Sequence, residues 1–560
     1  MKRPWVISAT AFAFAAVMLA VAALAHNRLG AVAEENDIAP ADNAVAEKNP
    51  QLSVMTSMLG GFRALAVTQL WIRAEEHKQA GRYHDAMQLA DLICQLQPRF
   101  PGVWGFHAWN MAWNISVTTN TPEERWHWVM NGVRLLRDRG IPLNPRSVLL
   151  YKELAWIFFS KMGQDMDQMH MVYKTRWAEE MQELLGAPPM GTTKDVIEAF
   201  RPIAEAPLDA SLRNQARDPI QPDKFAEVVG DPAVKAYLDE LQRRTAAMEP
   251  QAGDLAGIDF LDAYLLDLYN RYSLDEAAAV ARRYPTEPAG EAERSVSDWI
   301  NSPDHAEPRA RLLAFVRAQR LWNAYRMDPR WMLRIMETYD APLDWRLCRS
   351  HGLYWNSYGL HMGRRSDEVR LYDVELLASM DVVNAARTMF FCFRDMVFFG
   401  KLVWQEGPRD PNEMIIQRLG DWRFIEPVQR EYIRIINAIC EARGESFEDN
   451  PLRDGHINFL IDCIQMLYVG GRVDEARKYL DWIRDTYKPD GELWEMSVRD
   501  LVRATLFKDG WPTQNVTVSQ IVVALQSAFE MLAGGRTDDY SERLEHAWYV
   551  HQVFNSNAPQ

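Results

Sequence analysis

Apolar residues recur three and four positions apart along nearly the whole chain after about residue 50. This is the period of α-helices that bury one face, and the alternation typical of a half-buried strand is hard to find over more than four residues. The pattern therefore predicts an all-α body built from amphipathic helices.

Two segments, residues 67–98 and residues 457–489, have the spacing of a 34-residue helix-turn-helix repeat. In each, a glycine stands where the turn falls, Gly81 or Gly471, and an alanine follows at the same offset, Ala86 or Ala476. In the first segment, Ala74 also stands where the pattern needs a small residue for close helix approach. Pro98 is expected to stop the second helix of the first segment. Both segments look like tetratricopeptide repeats (TPRs).

A single hairpin of this kind cannot cover its own apolar face, so neighbouring hairpins must stack on one another. The stretches between the two matches carry suitable apolar runs, for example residues 151–163, 311–327 and 382–404. We therefore predict TPR-like helix-turn-helix repeats that form an α-solenoid.

The N-terminus carries a membrane-targeting pattern. Lys2 and Arg3 precede residues 5–25, a stretch without a charge that would span roughly 30 Å as a helix. An uncleaved anchor is the prediction, and a cleaved signal peptide ending at Ala23-Leu24-Ala25 is the alternative. Either way, we expect the N-terminus to face the cytoplasm and the body to lie in the periplasm, outside the inner membrane.

These features divide the chain into successive regions. The predicted order is a signal anchor or transmembrane helix (1–26), a flexible linker (27–50), TPR-like repeats (51–185), an inserted helical unit or hinge (186–253), a helical middle region (254–405), a TPR-like C-terminal region (406–553) and a tail (554–560). The insert is set apart by its prolines and its higher charge.

Composition narrows the classes of function. Of the 560 residues, 48% are hydrophobic and 25% are charged, which excludes intrinsic disorder for most of the chain. The net charge is −15 and no basic stripe is present, so we expect no nucleic-acid partner. The five widely spaced cysteines predict buried thiols, and a Cys440–Cys463 bridge stays open because sequence does not reveal pairing.

Four stretches resemble a family of uncharacterised, membrane-anchored bacterial proteins with TPR-like helices. They are residues 60–74, 97–116, 144–163 and 343–355. The resemblance implies a helical architecture and a membrane location. It brings no catalytic residues with it and leaves the function open.

Aromatic residues concentrate between positions 104 and 128. The candidates for partner binding there are Trp104, His107, Trp109, Trp113, Trp126 and Trp128. Spacings of five and four predict that Trp104, Trp109 and Trp113 line one helix face. Packing between repeat helices is one interpretation, and an exposed platform that binds a peptide or stacks on a sugar ring is the other.

A second cluster of candidates follows much later in the chain. It contains Trp345, Arg346, His351, Tyr354 and Trp355. It combines aromatic rings with groups that exchange protons near neutral pH. Its helical spacing fits core packing, and the alternative is a polar binding pocket.

The sequence contains no recognisable pattern of an enzyme site. Residues 186–194 depart from a phosphate-binding loop because Thr192 occupies the lysine position, so we expect no nucleotide. Asp165, Asp167 and His170 form a weak metal pattern, for which acidic residues at a helix N-terminus are the alternative interpretation. We therefore predict no catalytic residue, no metal and no cofactor.

These features lead to one functional hypothesis and one alternative. The hypothesis is a non-catalytic, membrane-tethered scaffold whose TPR-like surface binds a protein or peptide partner in a bacterial envelope assembly. The alternative is a carbohydrate-active or glycan-binding protein on an α/α toroid, with two carboxylates in a cleft ringed by Trp and Tyr.

Overall fold

The structure is a computed structural model. It describes residues 28, 62–210, 220–275, 288–364, 380–407, 414–444, 446–450, 452–505 and 514–557. These residues are mostly helical, which confirms the all-α prediction. The predictions for residues 1–26 and 27–50 lie outside the described residues, apart from Arg28, which is helical and exposed. Among the helices that are described, none combines the length and the apolar character needed to cross a membrane.

The chain divides into two compact units, Met1–Ile115 and Ser116–Gln560. The described elements of unit 1 are α1 (Phe62–Gln79), α2 (Tyr83–Leu96), α3 (Pro101–Trp109) and a π-helix, π1 (Asn110–Ile115). Helix α2 packs on α1 and also contacts α3 and π1. The boundary after Ile115 falls inside the region 51–185, which the sequence predicted as one series of repeats.

The first part of unit 2 is a run of helices. They are α4 (Pro122–Arg134), π2 (Leu135–Gly140), α5 (Ile141–Leu143), α6 (Val148–Trp156), π3 (Ile157–Gly163), α7 (His170–Leu185), α8 (Thr193–Glu205), α9 (Pro222–Val229), α10 (Pro232–Met248), α11 (Ile258–Tyr272), α12 (Glu291–Asn301), α13 (Ala306–Asn323) and α14 (Pro329–Tyr339). One hydrophobic core, which includes Leu241, Phe260 and Phe315, joins α10, α11 and α13. Part of the predicted insert, 186–253, therefore shares its core with the middle region.

The second part of unit 2 contains helices and one strand pair. The elements are α15 (Cys348–Arg364), α16 (Met380–Phe399), β1 (Lys401–Glu406), β2 (Met414–Leu419), α17 (Ile425–Arg443), α18 (Arg453–Val469), α19 (Val473–Tyr487), α20 (Val498–Thr505), α21 (Gln514–Ala533) and α22 (Thr537–Asn557). The strands pair antiparallel, with Lys401 opposite Leu419. The sequence pattern missed them because each is short and lies between strongly helical segments. Helix α22 ends at Asn557, inside the predicted tail.

Helix α15 lies at the centre of the packing in unit 2, against α6, π3 and α16. All residues from 341 to 360 are buried. Gly359 and Gly363 share one face of α15, and a Cβ at these positions would collide with Tyr151 and Val148 of α6, respectively. The absence of a side chain at these two glycines allows α6 and α15 to approach closely.

Three hairpins in the described part of the chain close with the same turn: α1–α2, α18–α19 and α21–α22. A glycine with positive φ follows the first helix of each hairpin, at Gly81 (+71°), Gly471 (+77°) and Gly535 (+75°). The arginine after each glycine donates its N–H to the carbonyl five residues earlier, at 2.8 Å in all three hairpins. This Schellman motif satisfies the last carbonyls of the first helix and favours glycine at the left-handed position.

The sequence of the third hairpin carries the same turn residues as that of the second. The triplet Gly534-Gly535-Arg536 repeats Gly470-Gly471-Arg472. Helices α1 and α2 form the first hairpin, and α2 ends at Leu96, two residues before the predicted stop at Pro98.

Comparing alanine variants at two of these glycines separates the cost of backbone strain from the cost of a side-chain collision. Gly471→Ala and Gly535→Ala both place a Cβ on a residue with positive φ, which costs about 1–2 kcal/mol. Open space surrounds Gly535, whereas a Cβ at Gly471 would collide with Met531 and Ser527 of α21. We expect Gly471→Ala to lower the free energy of unfolding by ~1 kcal/mol more than Gly535→Ala in urea denaturation. Equal losses would contradict the close packing of this turn on α21.

Candidate functional site

The first aromatic cluster is divided between the two units. Trp104, His107, Trp109 and Trp113 lie on α3 and π1 of unit 1, whereas Trp126 and Trp128 lie on α4 of unit 2. They are therefore described separately.

Within unit 1, the cluster has a buried side and an exposed side. Trp104 is buried and its indole N–H donates to the Pro98 carbonyl at 2.9 Å, and His107 is also buried. Trp109, by contrast, is 37% exposed. The prediction that Trp104 shares a face with Trp109 and Trp113 is thus corrected. A step of five residues turns an α-helix by about 500°, which leaves Trp109 roughly 140° away from Trp104.

On the other side, two pairs of partly exposed rings are joined by a lysine, and together they form what we call the aromatic surface: Trp71, Lys78, Phe106, Trp109 and Trp113. The indoles of Trp109 and Trp113 are stacked, with centroids 5.9 Å apart and ring planes 15° from parallel. Phe106 meets Trp71 edge to face at 4.8 Å. The Lys78 ammonium lies 5.2 Å from the centroid of Phe106 and 5.8 Å from that of Trp109.

The aromatic surface has the properties of a recognition patch. Its rings are held by contacts with one another, so they lose little side-chain entropy when a ligand covers them. Its cation is close enough to interact with two ring faces. Large rigid aromatic groups with a polar neighbour are the residues that dominate binding energy in protein interfaces.

The two tryptophans of unit 2 are half-buried on α4. Trp126 stacks on Tyr173 of α7, with centroids 6.4 Å apart. Trp128 lies edge to face with the neighbouring His127 at 6.2 Å. Trp126 therefore contributes to the contact between α4 and α7.

The second cluster lies inside unit 2. Trp345, Arg346, His351, Tyr354 and Trp355 are all buried. The Tyr354 hydroxyl accepts a hydrogen bond from the Asp328 N–H at 2.7 Å. The Arg346 guanidinium donates to both oxygens of Asp344, at 2.9 and 2.7 Å. His351, Tyr354 and Trp355 lie on α15, and Trp345 and Arg346 lie just before it. All five side chains pack inside unit 2, as the core-packing interpretation predicts.

His351 is fully buried among aromatic rings. Its centroid lies 5.2 Å from Phe158 and 4.8 Å from Trp177. Its Nε2 is 2.7 Å from the Trp345 carbonyl oxygen. Burial lowers the pKa of His351 to about 4, so the ring is neutral at physiological pH.

The acidic and histidine residues of the weak metal pattern are engaged with cations. Lys174 lies 2.9 Å from Asp165 and 2.8 Å from the His170 Nδ1, and Lys161 lies 2.5 Å from Asp167. Burial alone would raise the pKa of Asp165, but the hydrogen bond and charge of Lys174 outweigh it and lower that pKa to about 2. Within the described ranges, no group of three or more His, Cys, Asp and Glu side chains is arranged to hold a metal ion.

The loop at 186–194 leads into a helix cap. The Thr192 hydroxyl accepts a hydrogen bond from the Asp195 N–H, and the Asp195 carboxylate accepts one from the Thr192 N–H at 2.8 Å. This capping box starts α8 and explains the Thr-Thr-Lys-Asp sequence without a ligand.

An acidic pocket of about 260 Å³ lies among α7, α11 and α13. Glu180 accepts a hydrogen bond from the Tyr325 hydroxyl at 2.8 Å, and Asp262 pairs with Arg320 at 2.8 Å. Tyr325 is the one aromatic residue among those that line this pocket. The ring of Trp and Tyr side chains that the glycan alternative expects around its carboxylates is therefore not found at this pocket.

Sequence reasoning missed the cations that meet beside the Asp165 cluster, chiefly Arg349 and Arg418. Arg418 lies in β2, which is mostly apolar, whereas Arg349 lies on α15 next to the polar residues Ser350 and His351. A cation inside a buried apolar run requires a buried counter-charge. That signal was available at Arg418, although the sequence did not reveal its partner Asp165, 3.0 Å away.

Comparisons with family models, curated proteins and solved structures find no match for this chain. The resemblance to membrane-anchored TPR-like proteins therefore stays a prediction.

The buried histidines make the stability depend on pH. Burial lowers the pKa of His351 to about 4, that of His456 to about 3 and that of His546 to about 4, whereas an unfolded histidine titrates near 6.5. Below pH 6.5 the unfolded chain binds more protons than the folded chain, so the unfolding free energy falls as the pH is lowered. We expect each histidine to contribute a loss of about 1–2 kcal/mol between pH 7 and pH 5, measured by urea denaturation.

The variant His351→Phe tests this assignment. Phenylalanine keeps the ring contacts and removes the titrating group, so the slope of stability against pH should become shallower. His127→Gln, at an exposed position, serves as the control and should keep the slope of the parent protein. Identical slopes for His351→Phe and the parent would show that His351 does not bind a proton on unfolding.

Proposed function

We propose that this chain is a non-catalytic, TPR-like scaffold that binds a protein or peptide partner in a bacterial envelope assembly. In this proposal, residues 1–26 anchor it in the inner membrane, residues 27–50 act as a linker, and the helical body lies in the periplasm.

The aromatic surface of unit 1 is the observation that carries the proposal. A stacked, partly exposed Trp109–Trp113 pair beside Phe106 and Lys78 offers apolar area, flat rings and an ammonium group in one place, and this ammonium also pairs with Glu75 at 3.4 Å. A peptide with apolar side chains and a nearby carboxylate matches that combination. Burial of such a pair on binding is typical of interface hot spots.

The repeated hairpin turn supports the TPR-like part of the proposal. Three hairpins close through the same glycine and arginine hydrogen bonds, and α21 of the last hairpin packs on α18 of the preceding one. Stacked hairpins of this kind build extended surfaces, which suits binding of peptides rather than chemistry on small substrates. Glycan binding by the same rings remains the alternative, because a sugar ring also stacks on tryptophan.

A binding experiment with the full chain tests the proposal. The partner is first captured from detergent-solubilised envelope membranes and identified by mass spectrometry, and it is then purified and titrated against the chain. We expect the double change Trp109→Ala and Trp113→Ala to weaken the Kd tenfold or more, because hot-spot residues contribute on the order of 2 kcal/mol.

The control is Trp422→Ala in unit 2. Trp422 is 45% exposed and has the Arg472 guanidinium 4.9 Å from its ring, so it matches Trp109 in exposure and in its neighbouring cation. This variant should bind like the parent. Failure to capture any partner, or equal binding by the double variant, would argue against the scaffold; saturable binding of a cell-wall oligosaccharide that the double variant loses would favour the glycan alternative.

A further inference from the structure

Four cationic side chains meet around a small cavity in unit 2: Lys174, Arg346, Arg349 and Arg418. The cavity has a volume of about 10 Å³, and its remaining wall is formed by glycine, apolar side chains and the Cys348 thiol. No acidic residue lines it among the described residues. Elements distant in sequence build it, namely π3, α7, the start of α15, β1 and β2.

The carboxylates that pair with these four cations carry too little negative charge to neutralise them. Asp165 pairs with two of the cations, Lys174 at 2.9 Å and Arg418 at 3.0 Å. Asp395 pairs with Arg349 at 3.1 Å and is shared with Arg394 at 3.7 Å. Only the Arg346–Asp344 pair is complete in itself. Positive charge is therefore in excess at a buried site, where an unbalanced charge is costly.

Arg349 supplies free donors to the cavity. Its residue is only 4% exposed, and its Nε donates to Asp395. A guanidinium has five N–H donors, and within the described chain the two terminal nitrogens of Arg349 make no hydrogen bond. Donors without a protein partner on a side chain that lines a cavity can be satisfied by an acceptor bound there, which an anion would provide.

Arg349 and Arg418 line the same cavity and contact the same aromatic ring. Their guanidinium carbons are 4.9 and 5.0 Å from the centroid of the same Phe399 ring. Burial, and after it the positive charge of Arg349, lowers the pKa of Arg418. Two positive charges that contact one ring repel each other, and an anion bound in the cavity between the two arginines would offset that repulsion.

The start of α15 adds to the positive potential. Leu347, Cys348 and Arg349 line the cavity, and the 17-residue helix begins at Cys348. The first N–H groups of a helix have no partner within it, and the helix dipole favours negative charge at this end. The neighbouring π3 reaches the cavity through Gly163, where a Cβ would lie 2.8 Å from the Phe158 carbonyl oxygen.

We propose that this cavity binds a halide ion such as chloride, held between Arg349 and Arg418 at the start of α15. A space of about 10 Å³ is close to the minimum for one water-sized sphere, so a halide fits once the flexible arginine side chains move outward slightly, whereas sulfate and phosphate are too large. The negative ion balances the excess positive charge of the side chains from α7, α15 and β2, and it thereby stabilises the contacts of these elements with α16. It is thus a structural ligand, independent of the aromatic surface in unit 1.

Halide-dependent stability of the full chain tests this proposal. The chain is purified in detergent with gluconate as the anion, and chloride or bromide is then titrated in at constant ionic strength while Tm is recorded. We expect a saturable rise of Tm with either halide. In Arg349→Gln the apparent Kd should rise about tenfold or more, because a charge-assisted hydrogen bond is lost.

The control is Arg477→Gln, an exposed arginine that pairs with Asp474 within α19 at 3.1 Å. It should keep the halide response of the parent. Bromide-soaked crystals of the parent give a second readout, an anomalous peak between Arg349 and Arg418, which does not depend on the variant folding. Absence of that peak, a Tm response equal in gluconate and chloride, or an unchanged response in Arg349→Gln would each overturn the proposal, as would saturation by sulfate without halide.

Discussion

The burial of the first half of helix α15 is the constraint on which unit 2 depends. Its residues face other protein elements on all sides, so no side of this segment can place a charged group in water. Each polar group that it carries must find a partner inside the protein. On α15, the Arg349 pair with Asp395 and the contact between His351 and the Trp345 carbonyl meet that requirement, and the Arg346 pair with Asp344 does so in the buried segment just before the helix.

The same helix shows how packing and electrostatics are linked. Glycines at 359 and 363 bring α6 close to α15, and π3 follows α6 directly. Because α6 packs closely on α15, Gly163 at the end of π3 lies beside the start of α15. Lys174, on the next helix, α7, lies at the same cavity. Apolar contacts thus set the positions of the helices and strands that carry the cations. The concentration of positive charge at the start of α15 is a consequence of that packing.

The sequence was informative where structure depends on neighbours along the chain. Helical periodicity predicted the fold class, and Gly81 and Gly471 predicted two turns, because a Schellman motif needs only a few consecutive residues. Contacts between distant segments were not accessible: Arg418 and Asp165 are 253 positions apart. The exposure of Trp109 was predicted only as an alternative, since periodicity alone does not show which side of a helix another helix covers.

Three π-helices in the described chain, π1, π2 and π3, each follow directly on an α-helix. A π-helical hydrogen bond spans five residues where an α-helical one spans four, so each segment accommodates one additional residue. Deleting that residue would let the backbone close as a regular α-helix and would keep the flanking side chains on nearly the same faces, because a π-helix turns less per residue than an α-helix does. Chain length can therefore differ by one residue at each of these three points, and a sequence with the same architecture but an ordinary helix there would have its apolar pattern displaced by one position.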